Sequence, residues 1–258
     1  MTATVSEPAL LVDRPLPGVL RLMLNRPRAL NAVTLALADD LLAALDAADA
    51  DDDARVIVLG AAGERAFSAG YDIREMAAMD GPAMVDALVR RFPVIYRIAL
   101  HRKPVIAALN GLAHGAGALF AAAADIRVAA PHAEFRIAAT QQGAAEGCWL
   151  LPAIVGASRA KEILMSGRAV ATPEALAIGL LHAVAEDGDV MGLALAKAAE
   201  IAAHPARGPQ AVKRLVNEGI GLDLPAQHRA ELLALCTELR PAAGAQTFDQ
   251  FLQRPPRS

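Results

Sequence analysis

Small residues crowd into one stretch of this chain where the backbone itself becomes available for chemistry. Residues 104–109 (Pro-Val-Ile-Ala-Ala-Leu) are an uncharged apolar run behind Lys103, and the proline stops any preceding helix. Such a run reads as a strand buried on both faces. Asn110-Gly111 turns the chain, Gly115-Ala116-Gly117 follows at once, and every residue from 116 to 124 is apolar until Asp125. A strand feeding a glycine-rich bend and then a helix leaves backbone N–H groups at the helix start without partners. Glycine and alanine there let a ligand oxygen approach the main chain closely. The bend can therefore hold an anion or a developing oxyanion. The same residues also suit a tight strand-to-helix turn in which glycine only relieves crowding.

Polar side chains near this stretch are few. His114 sits inside the glycine bend with no partner visible in sequence, the usual condition of a structural histidine. Asp72 is placed to cap a helix. Cys148 has no neighbouring base and reads as a small core residue. Glu134 and Arg136 alternate with apolar neighbours and read as the solvent side of a strand. Glu146, in Ala144-Ala145-Glu146-Gly147-Cys148, is by itself an ordinary loop carboxylate or helix-start charge.

The elements that must position these residues follow a strand–helix alternation. Residues 9–13 and 19–24 make a hairpin around Pro17-Gly18. Thr34 caps a helix running to about Ala50, with Leu35, Leu37, Leu41, Leu42 and Leu45 on its buried side. A short apolar strand (56–59) leads into a loop (60–71) containing Phe67-Ser68-Ala69-Gly70-Tyr71. Helix is expected over 82–100, strand over 126–129 and helix over 158–166. Thr172-Pro173 reads as a cap followed by proline at the first helical position. From 189 onward only helices are expected, broken near 204–205, 219–225 and 241–244, with no low-complexity linker. The pattern predicts an α/β core over 1–188 and an all-helical region over 189–258.

Composition narrows the function. The chain has 258 residues, 55% of them hydrophobic, enough for a sizeable core. A net charge of −3 and 3% aromatics argue against a nucleic-acid groove. Two cysteines, Cys148 and Cys236, offer neither a disulfide framework nor metal-ligand spacing, which fits a reducing cytoplasm. The first ten residues do not read as a secretory signal, and no charge-free run reaches the ~18 residues a membrane span needs.

Three motifs in order, Leu24-Asn25-Arg26-Pro27-Arg28-Ala29-Leu30-Asn31-Ala32, Phe67-Ser68-Ala69-Gly70-Tyr71-Asp72 and the stretch 103–125, resemble the crotonase (enoyl-CoA hydratase/isomerase) family. Ser158-Arg159-Ala160-Lys161-Glu162 and Gly179-Leu180-Leu181 extend the likeness to nearly the whole chain. The resemblance implies a spiral of ββα repeats with a C-terminal helical trimerisation region, in trimers or hexamers. It implies acyl-CoA thioester substrates, with coenzyme A as part of the substrate, no tightly bound cofactor and no metal. An oxyanion hole is implied at the main-chain N–H groups of Tyr71 and Ala116, and CoA contacts at Arg28, Ala29, Leu30, Ser68 and Ala69. Arg254 and Arg257 are further candidates for a CoA phosphate, against the simpler reading of a solvated tail.

The chain departs from the hydratase pattern at both water-holding glutamates, whose positions align with Leu119 and Ala139. Glu146 instead matches the catalytic glutamate of Δ3,Δ2-enoyl-CoA isomerases. Moving a double bond needs one base, whereas adding water needs one group to activate the water and another to deliver the α-proton. Isomerase is therefore the expected activity. A hydratase using an atypical acid, or an acyl-CoA-binding protein without turnover, are the alternatives.

Overall fold

A computed structural model describes residues 7–240, so Arg254, Arg257 and the helix break expected at 241–244 lie outside the described residues. The chain divides into two compact units, Met1–His204 and Pro205–Ser258. In the first, β1 (Leu10–Leu16) and β2 (Val19–Leu24) form the expected hairpin, turning through Gly18 at φ +75°. Thr34 then caps α1 (Leu35–Ala50), its side chain accepting from the Leu37 amide at 3.1 Å. Of the five leucines expected on its buried side, Leu37, Leu41 and Leu45 are buried, while Leu35 and Leu42 are only partly covered.

Two layers of strand follow. A long strand, β3 (Val56–Ala61), is succeeded by a three-residue strand, β4 (Ala66–Ser68), and by helices α2 (Ile73–Ala77) and α3 (Gly81–Leu100). The pattern repeats with β5 (Val105–Leu109), β6 (Leu112–His114) and α4 (Ala116–Ala123), and again with β7 (Ile126–Ala129) and β8 (Glu134–Arg136). Short helices α5 (Leu151–Val155), α6 (Ala157–Ser166) and α7 (Thr172–Ala177) come next, with β9 (Val170–Ala171) and β10 (Ala183–Val184) among them, and α8 (Val190–Ala202) completes the unit. The long strands join in a six-stranded sheet, order β1-β2-β3-β5-β7-β10, parallel except for β1. The short ones join in a four-stranded sheet, order β4-β6-β8-β9.

Strands β4 and β6 were not expected: their residues read as a loop and a turn. Ala66-Phe67-Ser68 and Leu112-Ala113-His114 show no charged–apolar alternation of the kind Glu134 and Arg136 give β8, and they exist because each pairs in parallel with a neighbour. The second repeat is packed as its composition suggests. Every residue of β5 and of α4 is buried, which is why both are apolar all round. Arg127, buried beneath α4, donates to carbonyls at the helix C-terminus (Ala121, Ala122 and Ala124) and to Leu180, pinning α4 against β7.

Two sequence expectations need correction. Thr172 is not a cap: it begins α7 and gives its hydroxyl to the Ala130 and Ala133 carbonyls, 3.1 and 2.8 Å away. Helix α8 belongs with the sheet, since Val190, Ala194, Ala198 and Ala202 share a buried cluster with Val56 and Ile106. The boundary expected at 188/189 therefore falls one helix before the division between the units. In the second unit, α9 (Arg207–Gly219) and α10 (Leu224–Cys236) are joined near Gly221 at φ +86°. Asp223 caps α10 through the Ala226 amide at 2.7 Å.

Candidate functional site

The loop after β4 and the start of α4 are pressed together with almost no room for side chains. A Cβ added to Gly70 would stand 3.1 Å from the His114 carbonyl oxygen and 3.3 Å from the Ala116 nitrogen, in a backbone at φ +97°. One added to Gly117 would come within 2.5 Å of the Ser68 carbonyl oxygen and 2.7 Å of its Cβ. The small residues picked out in sequence thus permit contact between two main chains. Gly117→Ala should force the loops apart, costing about 1–3 kcal/mol as overpacking of a fixed backbone. A chemical melt would show the loss, and an unchanged midpoint would contradict this account of the contact.

Two main-chain amides border that contact. Ala116 is the first residue of α4, where no intrahelical acceptor exists. Tyr71 follows Gly70, whose carbonyl accepts from the Val33 amide at 2.8 Å. In a trans peptide C=O and N–H point in opposite directions, so the Tyr71 N–H faces away from Val33. Neither amide donates a hydrogen bond among the described residues.

The loop 26–31 lies against the same segment. Leu30 and Asn31 are both left-handed, at φ 51° and 53°, a costly pair of conformations for residues other than glycine. Asn31 holds them: its fully buried side chain accepts from the Arg26 amide at 2.8 Å and donates to the Ala62 and Ala66 carbonyls at 2.9 and 2.8 Å. The Leu30 carbonyl accepts from the Ala69 amide at 2.9 Å. Arg28, Ala29, Leu30 and Ala69 are thereby gathered at one exposed or half-exposed edge. Ser68 is not part of that edge. Its buried hydroxyl donates to the Asn31 carbonyl at 2.8 Å and accepts from the Gly70 amide at 3.2 Å, which shapes the loop.

Glu146 comes near Tyr71 from a third segment of the chain. A Cβ on the adjacent Gly147 would touch Leu119 of α4 at 3.5 Å, and Trp149 lies 6.4 Å from Tyr96 of α3, ring to ring. On the other side, the guanidinium of Arg91, also on α3, sits 4.6 Å over the ring of Tyr71. Tyr71 thus lies under a side chain of α3, and Glu146 is near enough for its charge to act on the tyrosine hydroxyl. Burial raises the half-buried Glu146 carboxyl above its ordinary 4.5. Burial, with the Glu146 charge adding to it, pushes the Tyr71 hydroxyl up to about 12 against the opposing pull of Arg91. Leu119 is fully buried and Ala139 lies in a short 3-10 turn, so no carboxylate stands at either position.

The raised Glu146 has a consequence for stability. Because the folded state holds this proton more tightly than the unfolded chain, the ionised carboxyl costs stability as pH climbs from the unfolded value through the raised folded one. Glu146→Gln should melt higher than the parent at about pH 8 and no higher at about pH 4. A variant with the same stability difference from the parent at both values would show that the carboxylate is well solvated.

Three more donors near Glu146 stand out. The Tyr71 hydroxyl and the Nε and Nη1 of fully buried Arg91 are closed to solvent and make no hydrogen bond among the described residues. Arg91 spends only Nη2, on Glu75, which also accepts from the Leu35 amide at the start of α1. Each such group left unpaired costs about 1–3 kcal/mol. Sequence reasoning missed Arg91 because Arg90-Arg91 on a helix looks like a solvated charge pair. Two other expectations change: His114 has a partner, Glu134, at 2.8 Å, so the two form a hydrogen-bonded couple on the small sheet. Cys148 is exposed rather than a core residue.

With the geometry in view, the comparisons are consistent. The family model for enoyl-CoA hydratase/isomerase matches residues 16–250. A probable enoyl-CoA hydratase of Rhodobacter capsulatus is 36% identical over 247 residues, covering 93% of each chain. The 1,2-epoxyphenylacetyl-CoA isomerase of Escherichia coli is 35% identical over 207 residues, 78% of this chain and 79% of its own. The crystal structure of an enoyl-CoA hydratase from Bacillus anthracis superposes with a TM-score of 0.91 at 30% identity, over 97% of this chain and 98% of that one. The two layers of strand with their alternating helices have the crotonase fold, and the chain belongs to the enoyl-CoA hydratase/isomerase family.

Proposed function

We propose that the protein is a Δ3,Δ2-enoyl-CoA isomerase acting in fatty-acid metabolism, with Glu146 as the base that shuttles one proton. The observation carrying this reading is a half-buried carboxyl with raised proton affinity beside the junction of the two loops, where the hydratase positions hold Leu119 and Ala139. The Tyr71 and Ala116 amides receive the thioester oxygen. Glu146 takes a proton from the α-carbon, negative charge gathers on that oxygen, and the proton returns at the γ-carbon, so the double bond moves and nothing is added. A donor aimed at the developing charge contributes roughly 10²–10³ in rate. The edge formed by Arg28, Ala29, Leu30 and Ala69, with Ser68 beneath it, takes the nucleotide and pantetheine. No resident cofactor is needed, since coenzyme A arrives on the substrate. The assembly is a homotrimer or a hexamer in the cytoplasm. Among the described residues no helix is long and apolar enough to cross a membrane.

A second reading, hydration by an atypical acid, draws support from the relatives of Rhodobacter capsulatus and Bacillus anthracis, both named hydratases. One experiment separates the two. Incubation with 2-enoyl- and 3-enoyl-CoA esters, read by mass and double-bond position, should show isomers of unchanged mass. Gain of one water would favour hydration, and tight binding without any product would make the protein a binder only.

A further inference from the structure

The orphaned donors of Tyr71 and Arg91 have no part in the proton shuttle. The Tyr71 hydroxyl, Arg91 Nε and Arg91 Nη1 are gathered where the guanidinium covers the tyrosine ring, and all three lack an acceptor among the described residues. Buried polar groups are almost always satisfied, so a cluster left open calls for an acceptor delivered from outside. Glu75 already balances the charge of Arg91. The Glu146 charge acts on the tyrosine hydroxyl, which disfavours a second anion and suits a neutral oxygen.

We propose that Tyr71 and Arg91 form a subsite for an oxygen on the acyl chain, selecting CoA esters whose chain carries a hydroxyl or carbonyl beyond the thioester. The subsite rests on the acyl-CoA reading above and deepens it by naming the substrate class. Two features support its use. Tyr71 supplies ring and hydroxyl to the subsite while its own main-chain amide borders the loop junction, so one residue ties the thioester end to the oxygen-bearing segment. Its hydroxyl also stays protonated across the working pH range, so it remains a donor. A site built to hydrogen-bond an oxygen rejects the analogue that lacks it, because its own groups are then stranded.

The test is calorimetric binding of butyryl-CoA, 3-hydroxybutyryl-CoA and 4-hydroxybutyryl-CoA to the parent protein and to Tyr71→Phe, with recovered ester checked by mass. Phenylalanine keeps the amide and the ring under Arg91 and removes only the hydroxyl, and a thermal melt confirms that the variant folds. The parent should bind at least one hydroxylated ester about tenfold more tightly than butyryl-CoA, and that ratio should fall to about one in the variant. No preference in the parent, or a preference that survives in Tyr71→Phe, would overturn the subsite and leave the donors to trapped water. Failure of the parent to bind any of the three esters would overturn the acyl-CoA reading and the subsite with it.

Discussion

Glutamine at position 146 should cut the conversion of 3-enoyl-CoA to 2-enoyl-CoA by about 10²–10⁴, the range for losing a positioned general base. Binding of a saturated CoA ester should persist. Glutamine keeps the shape and removes the ability to accept and return a proton, so the loss belongs in kcat rather than KM. In the parent the base must be ionised to act, so kcat/KM should rise with pH through the free-enzyme value of Glu146. Burial places that limb above the ordinary 4.5 of a glutamate. Full activity in Glu146→Gln, or an acid limb at the ordinary carboxylate value, would remove Glu146 from the role.

The second large effect comes from the backbone. Donors on the main chain are normally out of reach of mutation, but Ala116 occupies the first position of α4, the one helical site where proline is well tolerated. Ala116→Pro deletes a single N–H that no helix hydrogen bond uses. Gly115, without a Cβ, lessens the clash that proline imposes on its predecessor. The variant should fold, by thermal melt, and lose about 10²–10³ in kcat, equivalent to about 2.7–4 kcal/mol. An intact fold with unchanged kcat would mean the Ala116 amide does not meet developing charge.

How far the sequence reaches is clearest from particular residues. The buried strand at 105–109, the Thr34 and Asp72 caps and the two small-residue loops were legible because each rests on local chemistry: apolar runs, a hydroxyl or carboxyl at a helix start, glycine at a bend. Strands β4 and β6 were not: unlike β8, where Glu134 and Arg136 flank Phe135, they carry no charged–apolar alternation, and partners far along the chain create them. The same holds for side chains whose meaning comes from contact. Arg91 gained its meaning only by lying over Tyr71. Asn31 became the brace of two left-handed residues only because the Ala62 and Ala66 carbonyls come within reach. For Ser68 the motif could not show that the hydroxyl braces the loop, since its partners Asn31 and Gly70 are set by the fold.

The central claim is that the Tyr71 and Ala116 amides act on one thioester oxygen, and the carbonyl itself reports it. Isotope-edited infrared spectroscopy of butyryl-CoA labelled at the thioester carbon, bound to the protein, measures how strongly that C=O is polarised. Two aimed donors in a site shielded from water should move the stretch below its frequency in free aqueous solution, and Ala116→Pro should return part of the shift. A bound carbonyl at or above the aqueous frequency would contradict the account.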